Sequence, residues 1–252
     1  MVLSDQDYAG IYKIIDNNRN HERVVRYIKD NVLSDLSNNT AYLDIGAGDG
    51  KITCQIAPYF KEIMAIEPNP VFFEGLRGTK DAKCIEADFL QVTLTGKYDF
   101  ILCSHVLYHV DPKDWTRFVD KAYAHLNTNG KMLFILGGDR GDNFEQYKKH
   151  NDNYASSAIL REILTQKGMA FSEEIIEDSY QTDSFRDMLS LSKFCILENC
   201  FNQYAEKTID SFGVEKAEAL CLEYAKSKKI NDGLYVMKRA PAYVTITKSQ
   251  GL

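Results

Sequence analysis

Three side chains in one short stretch could move a proton: His105, Tyr108 and His109, within the run Ser104-His105-Val106-Leu107-Tyr108-His109-Val110. Imidazole titrates near neutrality, so either histidine could take a proton from an amine or hydroxyl nucleophile, and the phenol could orient it. A second group could hold a nucleoside. In Leu43-Asp44-Ile45-Gly46-Ala47-Gly48-Asp49-Gly50 two glycines let a chain leave a buried strand sharply and let a ligand approach without meeting a Cβ. Glu67 closes the next apolar run, nineteen residues after Gly48, where a carboxylate could accept from both hydroxyls of a ribose.

The loop departs from a dinucleotide site. The third glycine of GxGxxG falls at Lys51, and acids stand at Asp44, Asp49 and Glu67. A pyrophosphate favours free N–H groups without a competing anion. These acids suit an adenosine ligand with a cationic head and no phosphates, the character of S-adenosylmethionine.

On these residues the chain resembles the class I S-adenosylmethionine-dependent methyltransferases. Cys84-Ile85-Glu86-Ala87-Asp88-Phe89 resembles the family's third-strand motif, Tyr98 to Val110 its fourth strand and active-site loop, and Asn129-Gly130-Lys131 its glycine turn into strand five. The resemblance covers about residues 40–137 and implies S-adenosyl-L-methionine as cofactor. It implies contacts to the cofactor from Asp44, Gly46, Ala47, Gly48, Glu67, Pro68 and Ser104. Asp88 would bond the adenine amino group and Phe89 would pack on the ring. Other stretches are similar to histamine N-methyltransferase and its relatives: Ser4 to Tyr8, Asn20-His21-Glu22 and Tyr147-Lys148-Lys149. That likeness places Asn20 and Tyr147 around the substrate, with His105, Tyr108 and His109 as catalytic candidates, and Tyr8 and Tyr12 could join Tyr108 and Tyr147 in an aromatic box around a cationic ammonium. Its polar contacts differ, with Asn20 where that family has an acid and His105 where it has a glutamine, so histamine itself is not expected.

The elements that must position these residues follow from periodicity. Strands are expected at 41–45, 62–67, 83–87, 98–104 and 131–137, alternating with helices, which implies a parallel sheet covered on both faces. A helix at 156–166, a long strand near 169–178, helices over 184–228 and strand-like runs at 233–238 and 241–248 complete the chain. Trp115, at a helix opening after Pro112, is expected to pack that helix on the sheet. The fold expected is α/β: a Rossmann-like, mostly parallel seven-stranded sheet with a helical insert before the last strands. A single methyltransferase domain is expected over 1–252, with a helical cap at 1–35, a core at 40–180 and 233–250, and a substrate lid at 184–228.

The 252 residues can bury one substantial core. A net charge of −6 with scattered basic residues argues against a nucleic acid partner. No apolar run approaches a membrane span and the polar N-terminus has no signal-peptide core, so no membrane association and a cytoplasmic location are expected. Six cysteines without CxxC or zinc spacing predict free thiols and no metal. The function expected is methylation of a small molecule, N-methylation of an amine first. O-methylation of a phenol or carboxylate, and a non-catalytic adenosine-binding subunit, stand as alternatives. Oligomeric state is not legible.

Overall fold

The computed structural model describes residues 5–17, 21–150, 156–198, 212–231 and 233–249. Their strands are β1 (Ala41–Ile45), β2 (Glu62–Glu67), β3 (Ala82–Glu86), β4 (Tyr98–Ser104), β5 (Leu126–Gly141), β6 (Phe171–Ile175), β7 (Asp178–Thr182), β8 (Lys229–Asn231) and β9 (Leu234–Thr247). The sheet runs β3-β2-β1-β4-β5-β9-β6, with β7 and β8 pairing to β9. The pairs β1–β2, β2–β3, β1–β4 and β4–β5 are all parallel. This is the expected α/β, Rossmann-like arrangement, with two strands added to the seven.

The chain divides into two compact units, one of Asn20–Leu136, Ile159–Glu174 and Ala242–Leu252 and one of Met1–Arg19, Gly137–Ala158 and Ile175–Pro241. In the first, β1 is buried along its whole length and β4 in all but its last residue, as continuous apolar runs demand when helices cover both faces of a sheet. Tyr42 and Phe100 stack with centroids 5.3 Å apart. At the leading edge of these strands Asp99 accepts from the backbone N–H of Thr40 at 2.8 Å and of Ala41 at 3.0 Å, and from the Asn127 amide at 2.7 Å. At the other end the chain after β2 turns into a helix with its own cap. Asn69 accepts from the N–H groups of Val71 and Phe72, and Pro70 opens the helix Pro70–Leu76. The helix α5 (Trp115–Ala124) buries Trp115, Phe118, Val119 and Ala122, spaced for one helical face.

The second unit has its own core, in which Ile15, Tyr147, Met188, Leu191, Cys221 and Met237 pack together. Arg239 lies over the Tyr180 ring, 4.0 Å from its centroid, and grips the Asp178 carboxylate through Nε at 2.8 Å and Nη2 at 2.5 Å. The helices of the expected 184–228 segment are found at Phe185–Lys193, Phe194–Glu198, as a π-helical stretch, and Val214–Ser227.

Three boundaries differ from expectation by more than one residue. The run at 169–178 is two strands, β6 and β7. The two terminal runs form one strand through Pro241, because proline lacks only the donor and its carbonyl still accepts the Ile176 N–H at 3.0 Å. The fifth strand starts at Leu126, and Asn129-Gly130 is an irregularity inside it. Asn129 adopts φ +62, its N–H donates to Lys248 O at 2.7 Å, and the parallel register slips there.

Candidate active site

Gly46, Glu67, Asp88 and His105 all emerge where the parallel strands β1 to β4 end, the position at which open α/β sheets bind ligands. The N–H groups of Gly46 and Ala47 converge on Ile66 O at 2.8 and 3.0 Å, so the turn after β1 is folded against the end of β2. Glu67, only 6% exposed, accepts from Gly48 N–H through Oε2 at 2.8 Å and from Asn69 N–H through Oε1 at 2.9 Å. Burial raises its pKa, while those two backbone donors pull it back. Pro68 beside it is exposed.

The two glycines have different reasons to be glycine. Both lie at positive φ, +69 at Gly46 and +58 at Gly48. A Cβ on Gly46 would sit 2.2 Å from Val106 Cγ2, whereas one on Gly48 would meet nothing within 4 Å. Gly46 is therefore closed by packing, and Gly48 faces open space.

Asp44 lies beneath this turn, 2% exposed, with Oδ2 accepting from the hydroxyls of Tyr42 and Thr53, both at 2.7 Å. Burial pushes its pKa up to about 6, against the lowering effect of the two hydroxyls. Neither partner carries a motif signature, and neither Tyr42 nor Thr53 is a sequence-predicted site residue. Asp88 is exposed and caps the turn Phe89–Gln91, Oδ1 accepting from Leu90 N–H at 2.6 Å.

Phe89 departs from the expectation that it packs on an adenine. Its side chain is 4% exposed, tilted against Phe118 at 4.7 Å between centroids, with Lys121 Nζ 4.7 Å from its own ring centre. A ring enclosed in this way has no open face for a base.

At the end of β4, Ser104 is half-buried and His105 takes φ +60, a backbone that side-chain-bearing residues seldom adopt. His105 N–H donates to Ile135 O at 2.7 Å. Its Nδ1 stands 3.5 Å from Tyr108 Oη, the outer limit of a hydrogen bond, and the two rings lie within 27° of parallel. Packing on its inner side lowers the His109 pKa toward about 4, although the residue stays exposed to water, which limits that shift. The Trp115 indole N–H is shared by Leu107 O and Val110 O, each at 3.1 Å. This residue thus ties down the histidine-bearing loop as well as packing its helix.

Of the expected substrate residues, two have described side chains. Tyr12 packs, partly buried, on the core of the second unit, and Tyr147 is 3% exposed within it. Asn20 and the Tyr8 side chain lie outside the described residues. No group of three His, Cys, Asp or Glu among the described residues could hold a metal. No described helix is long and apolar enough to cross a membrane.

The signature of a family described as "Methyltransferase domain" matches residues 18–191. The chain belongs to that family, the S-adenosylmethionine-dependent methyltransferases of class I fold. An uncharacterized methyltransferase of Staphylococcus carnosus is 26% identical over 107 residues, 42% of this chain and 50% of the relative, so the match spans half of that protein. Among solved structures, the YcgJ protein of Bacillus subtilis superposes with a TM-score of 0.62 at 15% identity, covering 92% of this chain and all of that one. The N-methyltransferase NodS of Bradyrhizobium japonicum, bound to S-adenosyl-L-homocysteine, gives 0.55 at 16%, covering 94% and 91%. A phosphoethanolamine N-methyltransferase of Haemonchus contortus gives 0.57 at 17%, covering 99% and 61%. At these identities the likeness establishes the fold.

The residues present fit the family's methyl donor. Gly48 borders open space, Glu67 offers a carboxylate whose oxygens each keep a lone pair beyond their backbone donor, and buried Asp44 supplies an anion near the turn.

Proposed function

We propose that this protein transfers a methyl group from S-adenosylmethionine to the nitrogen of a small amine. One observation carries the reading: Val106 packs onto Gly46, so the loop bearing His105, Tyr108 and His109 lies directly on the turn that would hold the donor. When bound, the donor supplies a methyl carbon made electrophilic by its sulfonium. The protein's part is placement, because in-line displacement needs the nucleophile held close to that carbon and aligned with the breaking bond.

In this reading Glu67 accepts from the ribose hydroxyls and Asp88 from the adenine amino group. Gly46, Ala47 and Gly48 form the cradle, Pro68 packs against the adenosine, and Asp44 faces the donor's cationic end. Ser104 closes the floor beside the methyl group. An amine attacks only as the free base, so its proton must leave first. His109, in the same loop, is the candidate to take that proton. His105 and Tyr108 face the acceptor and orient its lone pair. Two of the solved neighbours are N-methyltransferases by name, which supports nitrogen over oxygen as the acceptor. The segment 184–228 is assigned the role of substrate lid.

The test is transfer of labelled methyl from S-adenosylmethionine to a panel of small amines beside matched phenols and carboxylic acids. Product from an amine is expected. Product from hydroxyl or carboxyl acceptors alone would replace this reading with O-methylation, and donor binding without transfer across the panel would favour an adenosine-binding subunit.

A further inference from the structure

Helix α5 sends two side chains to two different loops of the site. Trp115 and Lys121 stand six positions apart, roughly 120° around a helix of 3.6 residues per turn, and each ends on main-chain oxygens. The Trp115 indole bridges Leu107 O and Val110 O, which flank the turn Leu107–His109. Lys121 Nζ donates to Phe89 O at 2.5 Å and to Val92 O at 2.6 Å, which bracket the turn Phe89–Gln91. Its ammonium also lies against the Phe89 ring, holding that side chain inward.

Bringing an ammonium partly out of water is costly, and an apolar residue here would pack α5 as well or better. What the lysine adds is a fixed geometry for three residues of loop. Asp88 is the cap of that loop, its Oδ1 already committed to Leu90 N–H. The direction of its second oxygen is therefore set by where the turn sits.

We propose that Lys121 is a positioning residue for adenine selectivity, locking the Phe89–Gln91 turn so that Asp88 aims its second oxygen at the exocyclic amino group of the donor. Trp115 serves the acceptor loop in the same manner, which makes α5 a strut shared by both halves of the site. The proposal rests on the donor-binding role of Asp88 given above.

The experiment measures, by calorimetry on the full chain, the affinities for S-adenosylhomocysteine and S-inosylhomocysteine, whose base carries a carbonyl in place of the amino group. Wild type should prefer the adenosine compound by tenfold or more, and Lys121→Met should shrink the ratio to within about threefold by weakening that compound alone. Lys121→Arg, which keeps a cation within reach of both carbonyls, should restore most of the preference. Trp115→Phe should leave the ratio unchanged and slow methyl transfer. Equal weakening of both ligands by Lys121→Met, tracking a drop in melting temperature, would show a structural role and overturn the proposal. If Lys121→Met does not fold, Lys121→Gln reads the same ratio. A wild type that binds neither compound would sink the functional reading itself. A wild type that prefers adenosine, with the ratio intact in the variant, would sink only the role of Lys121.

Discussion

Gly48 donates its backbone N–H to Glu67 Oε2 at 2.8 Å, so the second glycine of the turn after β1 and the acid that closes β2 are a single hydrogen-bonded unit. The same carboxylate holds Asn69, which caps the next helix. One side chain therefore ties together the turn after β1, the end of β2 and the start of the next helix.

Glu67→Ala should weaken S-adenosylhomocysteine binding by about 1–3 kcal/mol, the range for buried donors left without an acceptor. The melting temperature should fall too, since the N–H groups of Gly48 and Asn69 lose their partner. Titration calorimetry beside a thermal melt separates the two effects. Unchanged affinity would remove Glu67 from the ribose.

Asp44 makes stability depend on pH with a defined sign. Its folded pKa of about 6 lies above the ordinary 3.8, so the folded chain holds this proton more tightly than the unfolded one. The resulting stability is fully present below pH 3.8 and is lost as pH rises through 6. Asp44→Asn, which can still accept from Tyr42 and Thr53, should be more stable than wild type at pH 7.5 by about 1–3 kcal/mol and lose the slope between pH 4 and 6. Urea unfolding at both ends of that window checks it. Donor affinity should show the opposite trend in wild type, declining as pH falls through 6, because a protonated Asp44 no longer attracts a cation.

His105 sits at φ +60, where a Cβ costs about 1 kcal/mol that glycine avoids. His105→Gly should therefore fold at least as stably as wild type and bind S-adenosylhomocysteine equally well, while turnover drops by about a hundredfold or more. A variant that keeps its turnover would reduce His105 to a turn residue.

Gly46→Ala and Gly48→Ala should fail differently. The first forces a Cβ to 2.2 Å from Val106 Cγ2 and should destabilise the fold by about 1–3 kcal/mol, with partial rescue by Val106→Ala. The second meets no neighbour, so beyond the cost of its backbone angle its effect should appear as lost donor affinity. Melting curves and binding isotherms on the two variants and the double mutant make the comparison.

The central strands could be read from the chain because each is a short, mostly apolar run. Strands β1, β2 and β4 lie where those runs predict, and β3 is displaced by one residue. The periphery was less legible. Pro241 reads as a break, yet its carbonyl keeps it inside β9, and Asn129-Gly130 reads as a turn before a strand that had already begun at Leu126. Phe89 misled for a related reason: residue type says aromatic, but only packing decides which face of a loop the ring takes. Contacts from a side chain to distant backbone, such as Trp115 to Leu107 or Lys121 to Phe89, leave no local pattern at either end.

The three hydrogen bonds into Asp99 lie at the starting ends of β1, β4 and β5, opposite to the loops of the site. Register is thus anchored at the end of the sheet remote from the loops of the site. A substitution in those loops leaves in place the three Asp99 hydrogen bonds that join the starting ends of β1, β4 and β5.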